Sequence, residues 1–232
     1  MIIVLFAAIS LILGGLAAYF FPYIWRYIRV QILKNRLANS GTLILTYDDG
    51  PSETLTPRVL DILQLHKARA CFFMLGSKAK RCSTIADRIV CEGHEVGCHS
   101  DQHLNAWKVL PSTAIADINA GYASLSRWVA SDGMFRPPYG KITLPTYLTL
   151  RRRRATLAWW TVVSGDTTTP LPTPGAVVEA VRLAKGGVVL MHDFDGSKGH
   201  SDFVCETTEL LLRMAGQHSI KVRVLSDLAR NT

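Results

Sequence analysis

Short apolar runs alternate with amphipathic segments through most of this 232-residue chain, and that alternation constrains its fold more than any other feature. The runs are 43-LILTY-47, 70-ACFFML-75, 95-EVGCH-99, 134-MFR-136, 156-TLAWWTVV-163, 187-GVVLMH-192 and 220-IKVRVL-225. Between them, residues 57–67 place Val59, Leu60, Ile62, Leu63 and Leu65 along one broad helical face. Residues 78–91, 112–129, 174–185 and 203–217 read as further helices, with Thr54, Ser77, Ser112 and Thr173 as N-caps and Gly93, Gly186 and Gly216 as stops. Such a pattern predicts an α/β domain with a parallel sheet, open or closed into a barrel. The run 151-RRRR-154 reads as a solvated helix end, where cations favour the dipole.

The start of the chain differs. Ile2 to Trp25 contains no Asp, Glu, Lys or Arg. As a helix this stretch rises about 36 Å, enough for a hydrocarbon core of roughly 30 Å. No basic residue precedes it and apolarity continues to Trp25, so it reads as a retained single-span anchor rather than a cleaved signal peptide. Arg26, Arg29, Lys34 and Arg36 follow without an acid, a positive-inside signal that points the domain toward the cytoplasm and toward anionic membrane lipids. The expected organisation is a transmembrane anchor at 1–25, a basic juxtamembrane linker at 26–41 and the α/β domain at 42–232. The net charge of +8 raises nucleic acid as a partner, but no recognition helix, RNA-binding aromatic motif or zinc finger is present, and none is expected to bind. Five cysteines without a C-x-x-C pair suit free thiols in a reducing compartment.

In parallel α/β sheets, ligands gather at the carboxyl ends of the strands. Those ends here carry Asp48-Asp49, 99-HSDQH-103, 136-RPPYG-140, Asp166 and His192. His99 and His103 are spaced so that both imidazoles reach one ion, and with a carboxylate they make a two-histidine, one-carboxylate site for Zn, Co, Fe or Mn. Adjacent strand residues point to opposite faces, so Asp48 and Asp49 need not share a job. One holds the ion; the other takes a proton from water that the ion has made more acidic.

The motifs TYDDGP, HSDQH, RPPYG and VLMHD, in this order, resemble those of the polysaccharide deacetylase (NodB-homology, carbohydrate esterase family 4) superfamily, over roughly residues 42 to 228. The resemblance implies a distorted, incomplete (β/α) barrel, preceded here by the N-terminal transmembrane helix. It implies a hydrolase of non-peptide C–N bonds that removes an N-acyl group from an aminosugar, with one divalent metal ion, Zn foremost and Co, Ni, Mn or Fe as alternatives. Asp48 would be the base and Asp49, His99 and His103 the metal ligands. Arg136 would orient the base, and the Tyr139 backbone N–H, on the rigid Pro137-Pro138 turn, would hold the oxyanion. His192 would be the general acid, Asp166 the charge partner of the Arg/His pair and Leu190 a wall of the acyl pocket. The family's tryptophan after that aspartate is Thr167 here, so either Trp107 rebuilds the wall or the acyl group differs, formyl being one choice.

Substrates implied are an N-acylated aminosugar in a polysaccharide, the family's commonest target, or in a polyprenyl-phosphate-linked glycan, which the cytoplasmic topology signal favours. The competing class is a catalytically silent, membrane-anchored sugar-binding or scaffold relative. Such a protein would have lost a ligand or the base, and none is lost here. The remaining histidines His66, His94 and His218 read as surface or helix-end residues. His200 falls in the Gly- and Ser-containing segment 193–202, expected to be an exposed mobile rim, and Trp159 is expected in the core.

Overall fold

A computed structural model of the chain describes residues 2–229; within its first helix, the side chains of residues 2–13 and 17 lie outside that description. The strands are β1 (Thr42–Asp48), β2 (Cys71–Met74), β3 (Glu95–Cys98), β4 (Val162–Val163), β5 (Gly187–His192) and β6 (Lys221–Val222). The helices are α1 (Ile2–Ser40), α2 (Leu55–Leu65), α3 (Gly76–Arg81), α4 (Ser83–Cys91), α5 (Pro111–Ser124), α6 (Leu144–Arg152), α7 (Pro174–Leu183), α8 (Lys198–Gln217) and α9 (Ser226–Ala229). Every strand pairing is parallel, in the order β3-β2-β1-β5-β4, with β6 also on β1. The α/β parallel sheet read from the alternation is present.

β1 is central and every one of its residues is buried, which is why it reads as an unbroken apolar run before the acids begin. Tyr47 stacks on Phe72 from β2, and Leu43, Leu45, Val189 and Met191 join the helix residues Val59, Leu60 and Leu63 in one core. Two of the expected strands hardly form. Phe135 makes single parallel bridges to Cys98 and Leu157, and of 156–163 only Val162 and Val163 belong to a strand. The reason lies in the bonding: Ala158 N–H goes to Phe135 O, but Thr161 N–H goes to Val188 O. The chain changes neighbour across Trp159 and Trp160, so no continuous ladder is possible.

Among the helices, the expected 78–91 segment is two helices broken at Cys82, and α6 was not anticipated. α6 begins with a Thr143/Thr146 capping box, in which threonine stands where Glu or Gln is the usual signal. The four arginines do end a helix, with Arg151 and Arg152 in the last turn of α6. α8 starts at Lys198, which converts half of the expected mobile rim into helix.

The N-terminal expectations need correction. α1 runs as one helix of 39 residues through the region expected to be a linker. Among the described residues no helix is long and apolar enough to cross a membrane. The expected span at 2–25 begins on side chains outside the described residues, and its last part packs on the domain. There Tyr19 meets Trp107, Phe21 meets Tyr147, and Trp25 meets Tyr147 and Trp159 with centroids 5.2 and 6.3 Å apart. Further on, Leu37 is buried with Ile44 and Val188, Arg36 donates to the Leu228 carbonyl, and Arg26 lies over Trp159 and Trp160. The second half of α1 is therefore part of the domain.

Candidate active site

β1 delivers Asp48 and Asp49 at its carboxyl end, and its register sets Asp48 directly beside His192 of β5. β3 leads into His99, the Phe135 bridge leads into Arg136, and β4 leads into Asp166. Every sequence-predicted chemical group thus lies along one edge of the sheet.

One side of the site is a ligand cluster. Candidate donor atoms of Asp49, His99 and His103 all lie within 4.8 Å of one another. The two Nε2 atoms stand 3.3 and 3.1 Å from Asp49 Oδ1, an oxygen that is buried yet accepts no hydrogen bond. His99 Nδ1 lies 2.7 Å from the Arg136 carbonyl, which can only accept, so that nitrogen carries the proton and the Nε2 lone pair faces Asp49. Burial pushes the Asp49 carboxyl up, but when the imidazoles carry protons, His99 first and then His103 and His192 outweigh it and hold it at about 2, so a proton on Nε2 and a cation compete for the same place. Burial holds His103 below its ordinary value, against the pull of Asp49. An anionic oxygen without a donor and a lone pair turned toward it are the donor set a divalent cation takes, and these residues fit one.

The loop carrying the histidines is held from behind. Ser100 and His103 have φ of 69° and 61°, and Ser100 Oγ accepts from His103 N–H. α5 lies so close that a Cβ on Gly121 would fall 2.5 Å from the Ser100 backbone. Asp117, four residues earlier on α5, accepts from the N–H groups of Gln102 and Leu104 at 2.8 and 3.2 Å. Sequence reasoning missed Asp117; a buried acid on an otherwise apolar helical face was the available signal.

Asp48 is separate from this cluster. It is almost fully buried, and Arg136 Nη1 donates to its Oδ1 at 2.7 Å and to Thr46 Oγ1 at the same distance. The Arg136 guanidinium lies 4.0 Å over the Phe73 ring and is wholly inaccessible to solvent. Oδ2 of Asp48 stays 3.9 Å from His99 Nε2, too far for a hydrogen bond. Breaking a buried pair of this kind strands a charge, so the arginine fixes the position of the acid.

Across the edge, His192 Nδ1 donates to Asp166 Oδ1 at 2.9 Å, and the His192 backbone N–H donates to Oδ2 at 2.7 Å. Burial alone would lower the His192 pKa, but Asp166 overrides it and raises it to about 9. The same contacts hold Asp166 well below the ordinary carboxylate range despite its burial. His192 therefore holds its proton more firmly than a free imidazole does.

The remaining predicted residues occupy the rim. Leu190 is buried on β5, and Pro138 is buried beside Tyr139, whose ring is exposed and packs on His103 at 4.5 Å. Tyr139 sits at φ 55°, which turns its backbone abruptly. Trp107 is pinned outward: its Nε1 donates to the Ile142 carbonyl and Lys141 Nζ sits 4.1 Å over its ring. Thr167 is exposed and lines a cavity with Asp166, Phe194 and His200. Phe194 was missed, and His200, expected on an exposed rim, is buried; His94, expected at the surface, is buried too. Trp159 is in the core as expected.

A cluster of metal-type donors facing a separate proton donor at the carboxyl edge of a parallel sheet is the equipment of a hydrolase. Comparison with known proteins narrows that class. The profile of the polysaccharide deacetylase family matches residues 36–155, and the chain belongs to that family. It is 34% identical over 195 residues to a peptidoglycan-N-acetylglucosamine deacetylase of Bacillus cereus, covering 83% of this chain and 90% of the relative. The crystal structure of a peptidoglycan N-acetylglucosamine deacetylase bound to a substituted benzamide superposes with a TM-score of 0.72 at 26% identity, covering 82% and 88% of the two chains. A carbohydrate esterase family 4 pseudoenzyme from Bacillus anthracis shares the fold, with a TM-score of 0.70 at 23% identity over 82% and 66% of the chains. Fold alone therefore decides nothing about catalysis within this family; the side chains must.

Proposed function

We propose that this chain hydrolyses the N-acetyl group of N-acetylglucosamine within a glycan, on a parallel sheet that closes as a distorted, incomplete (β/α) barrel. The observation that carries the reading is the separation of two adjacent carboxylates: Asp49 faces two imidazoles, whereas Asp48 is held by Arg136. Asp49, His99 and His103 would hold one divalent ion, zinc foremost, and the same donors also suit cobalt, nickel, manganese or iron. When bound, the ion polarises the amide carbonyl and makes water a better proton donor.

The chain's own residues do the rest. Asp48, through Oδ2, accepts the proton of the water whose oxygen bonds to the carbonyl carbon. Arg136 keeps Asp48 aimed. The Tyr139 backbone N–H, fixed by its turn, donates to the oxygen on which negative charge develops. As the C–N bond breaks, the Nε2 proton of His192 passes to the departing amine nitrogen, and Asp166 stabilises the histidine before that transfer. The products are acetate and the free amine. A silent relative would lack one of these groups, and Asp48, Asp49, His99, His103, Arg136 and His192 are all in place.

Two features bear on the substrate. Thr167 and Leu190 leave the acyl pocket only partly walled, so formyl as well as acetyl is accepted. The exposed Phe20, Tyr23, Ile24, Tyr27 and Ile28 of α1, together with Arg29, suit a lipid surface that brings the groove to membrane-associated glycan. The test of function is zinc-loaded protein incubated with N-acetylglucosamine oligomers, amine release being followed by mass spectrometry. Loss of acetyl from the oligomer supports the reading; zinc-loaded protein that leaves oligomers and peptidoglycan fragments intact overturns it. Co-sedimentation with anionic vesicles tests the lipid surface, and protein that stays in the supernatant removes that part.

A further inference from the structure

His200 is a buried imidazole whose two ring nitrogens find no hydrogen-bond partner among the described residues. Natural structures rarely leave such a group unpaired, because it forfeits its hydration without replacement. The surroundings show that its position is built. Ser197 caps α8 and accepts from the His200 backbone N–H, which fixes the residue in the first turn. Gly196 makes room for the ring: a Cβ there would fall 2.8 Å from His200 Nδ1. Phe194 stacks on the other side at 4.5 Å and 20°, and its edge meets His192 at 6.2 Å. Nδ1 turns toward Gly196, and Nε2 stands 3.7 Å from Asp166 Oδ2. That is ion-pair distance, a few tenths of an ångström beyond a hydrogen bond.

Asp166 is the carboxylate that keeps His192 protonated and aligned, its Oδ1 accepting from Nδ1 and its Oδ2 from the backbone N–H. We propose that His200 is a positioning residue for the general acid, its Nε2–H closing on Asp166 Oδ2 in a His192–Asp166–His200 row clamped by Phe194. The proposal deepens the deacetylase reading and rests on it for the word acid. The row works by sharing charge. A second donor on Asp166 draws negative charge away from the Nδ1 contact, weakens the carboxylate's hold on the His192 proton, and so makes that proton easier to give to the amine. It also stops the carboxylate from rotating when His192 becomes neutral. The other charges on His192 are Asp48 and Asp49. Neither has a recorded contact with His200, so they stay constant when it is changed.

The experiment titrates His192 by NMR in full-length, 15N-histidine-labelled protein, for wild type, His200→Ala and His200→Gln. Gln places an amide N–H near the position of the lost Nε2. We expect His200→Ala to move the His192 titration to higher pH, and His200→Gln to return it toward wild type. On the same samples, kcat for amine release should fall roughly tenfold in His200→Ala with KM unchanged, and recover in the glutamine variant. Unchanged His192 titration in both variants, or a shift to lower pH in His200→Ala, overturns the proposal whether or not the protein deacetylates. Wild-type protein without amine release overturns the deacetylase reading alone, because the titration needs no substrate. If His200→Ala does not fold, His200→Phe, which keeps a ring against Phe194 and removes the N–H, takes its place: a His192 titration moved to higher pH supports the proposal, and an unchanged one overturns it.

Discussion

The two sides of the site are built on opposite electrostatic plans. On the ligand side, a carboxylate held at about 2 faces imidazoles, one of them kept below its ordinary value by burial. On the acid side, a carboxylate raises its imidazole to about 9. The same two residue types therefore give a cluster of cation-type donors and, along the same sheet edge, an imidazole that holds its proton firmly. What separates them is the partner on the far nitrogen. His99 spends its Nδ1–H on a neutral carbonyl, that of Arg136, whereas His192 spends its Nδ1–H on the Asp166 carboxylate, whose charge favours the protonated ring.

The comparison breaks most visibly on the ligand side. Asp49→Ala or His103→Ala should lose bound zinc and, with it, essentially all amine release, measured by metal content and turnover on one preparation. Retention of both in either variant would mean that the cluster is an ordinary buried ion pair.

On the acid side the effect should be smaller and dependent on pH. In Asp166→Asn the contact that raises His192 is gone and burial dominates, so its pKa should drop from about 9 to below its ordinary value of about 6.5. The alkaline limb of kcat then moves to lower pH, and at pH 8 the rate should fall by roughly 10²-fold while zinc content is unchanged. The sign carries over to stability. A pKa raised on folding contributes stability that is full below about 6.5 and is lost as pH climbs through about 9. Wild type should lose Tm across that window, and Asp166→Asn should be flatter there.

The two sides were also unequally legible in the sequence. The ligand side is local: Asp48 and Asp49 are adjacent, and His99 and His103 share one loop, so spacing exposed them. The acid side gathers Asp166, His192, Phe194 and His200 from two strand ends and a helix start. Its Gly-Ser segment reads as a mobile rim, although Gly196 serves to admit a buried ring and Ser197 to cap α8. The core strands β1, β2 and β5 were legible because burial on both faces writes an apolar run. The bridges at Phe135 and Leu157 were not, because a chain that switches neighbours leaves no period-2 pattern. The N-terminal helix was ambiguous for a related reason. An apolar aromatic stretch fits lipid or protein equally well, and Trp25 packs on Tyr147 and Trp159.

The smallest expected change sharpens the acid side at its acyl wall. Thr167→Trp adds an apolar face beside Asp166 and Phe194, worth at most about 1–3 kcal/mol of burial. Selectivity for N-acetyl over N-formyl sugar, compared as kcat/KM, should rise in this variant from a weak preference in wild type. Strong acetyl preference already in wild type, abolished in Trp107→Ala, would show that Trp107 leaves its bond to Ile142 and supplies the wall.

The central claim is that adjacent aspartates have different jobs, and Asp48→Asn tests it most directly. The variant keeps shape and removes basicity, so its zinc content and its amine release should be measured on one sample. The account predicts wild-type zinc with turnover lowered by roughly 10²-fold or more. Zinc lost from Asp48→Asn, with zinc retained in Asp49→Ala, would contradict it and reverse the two roles.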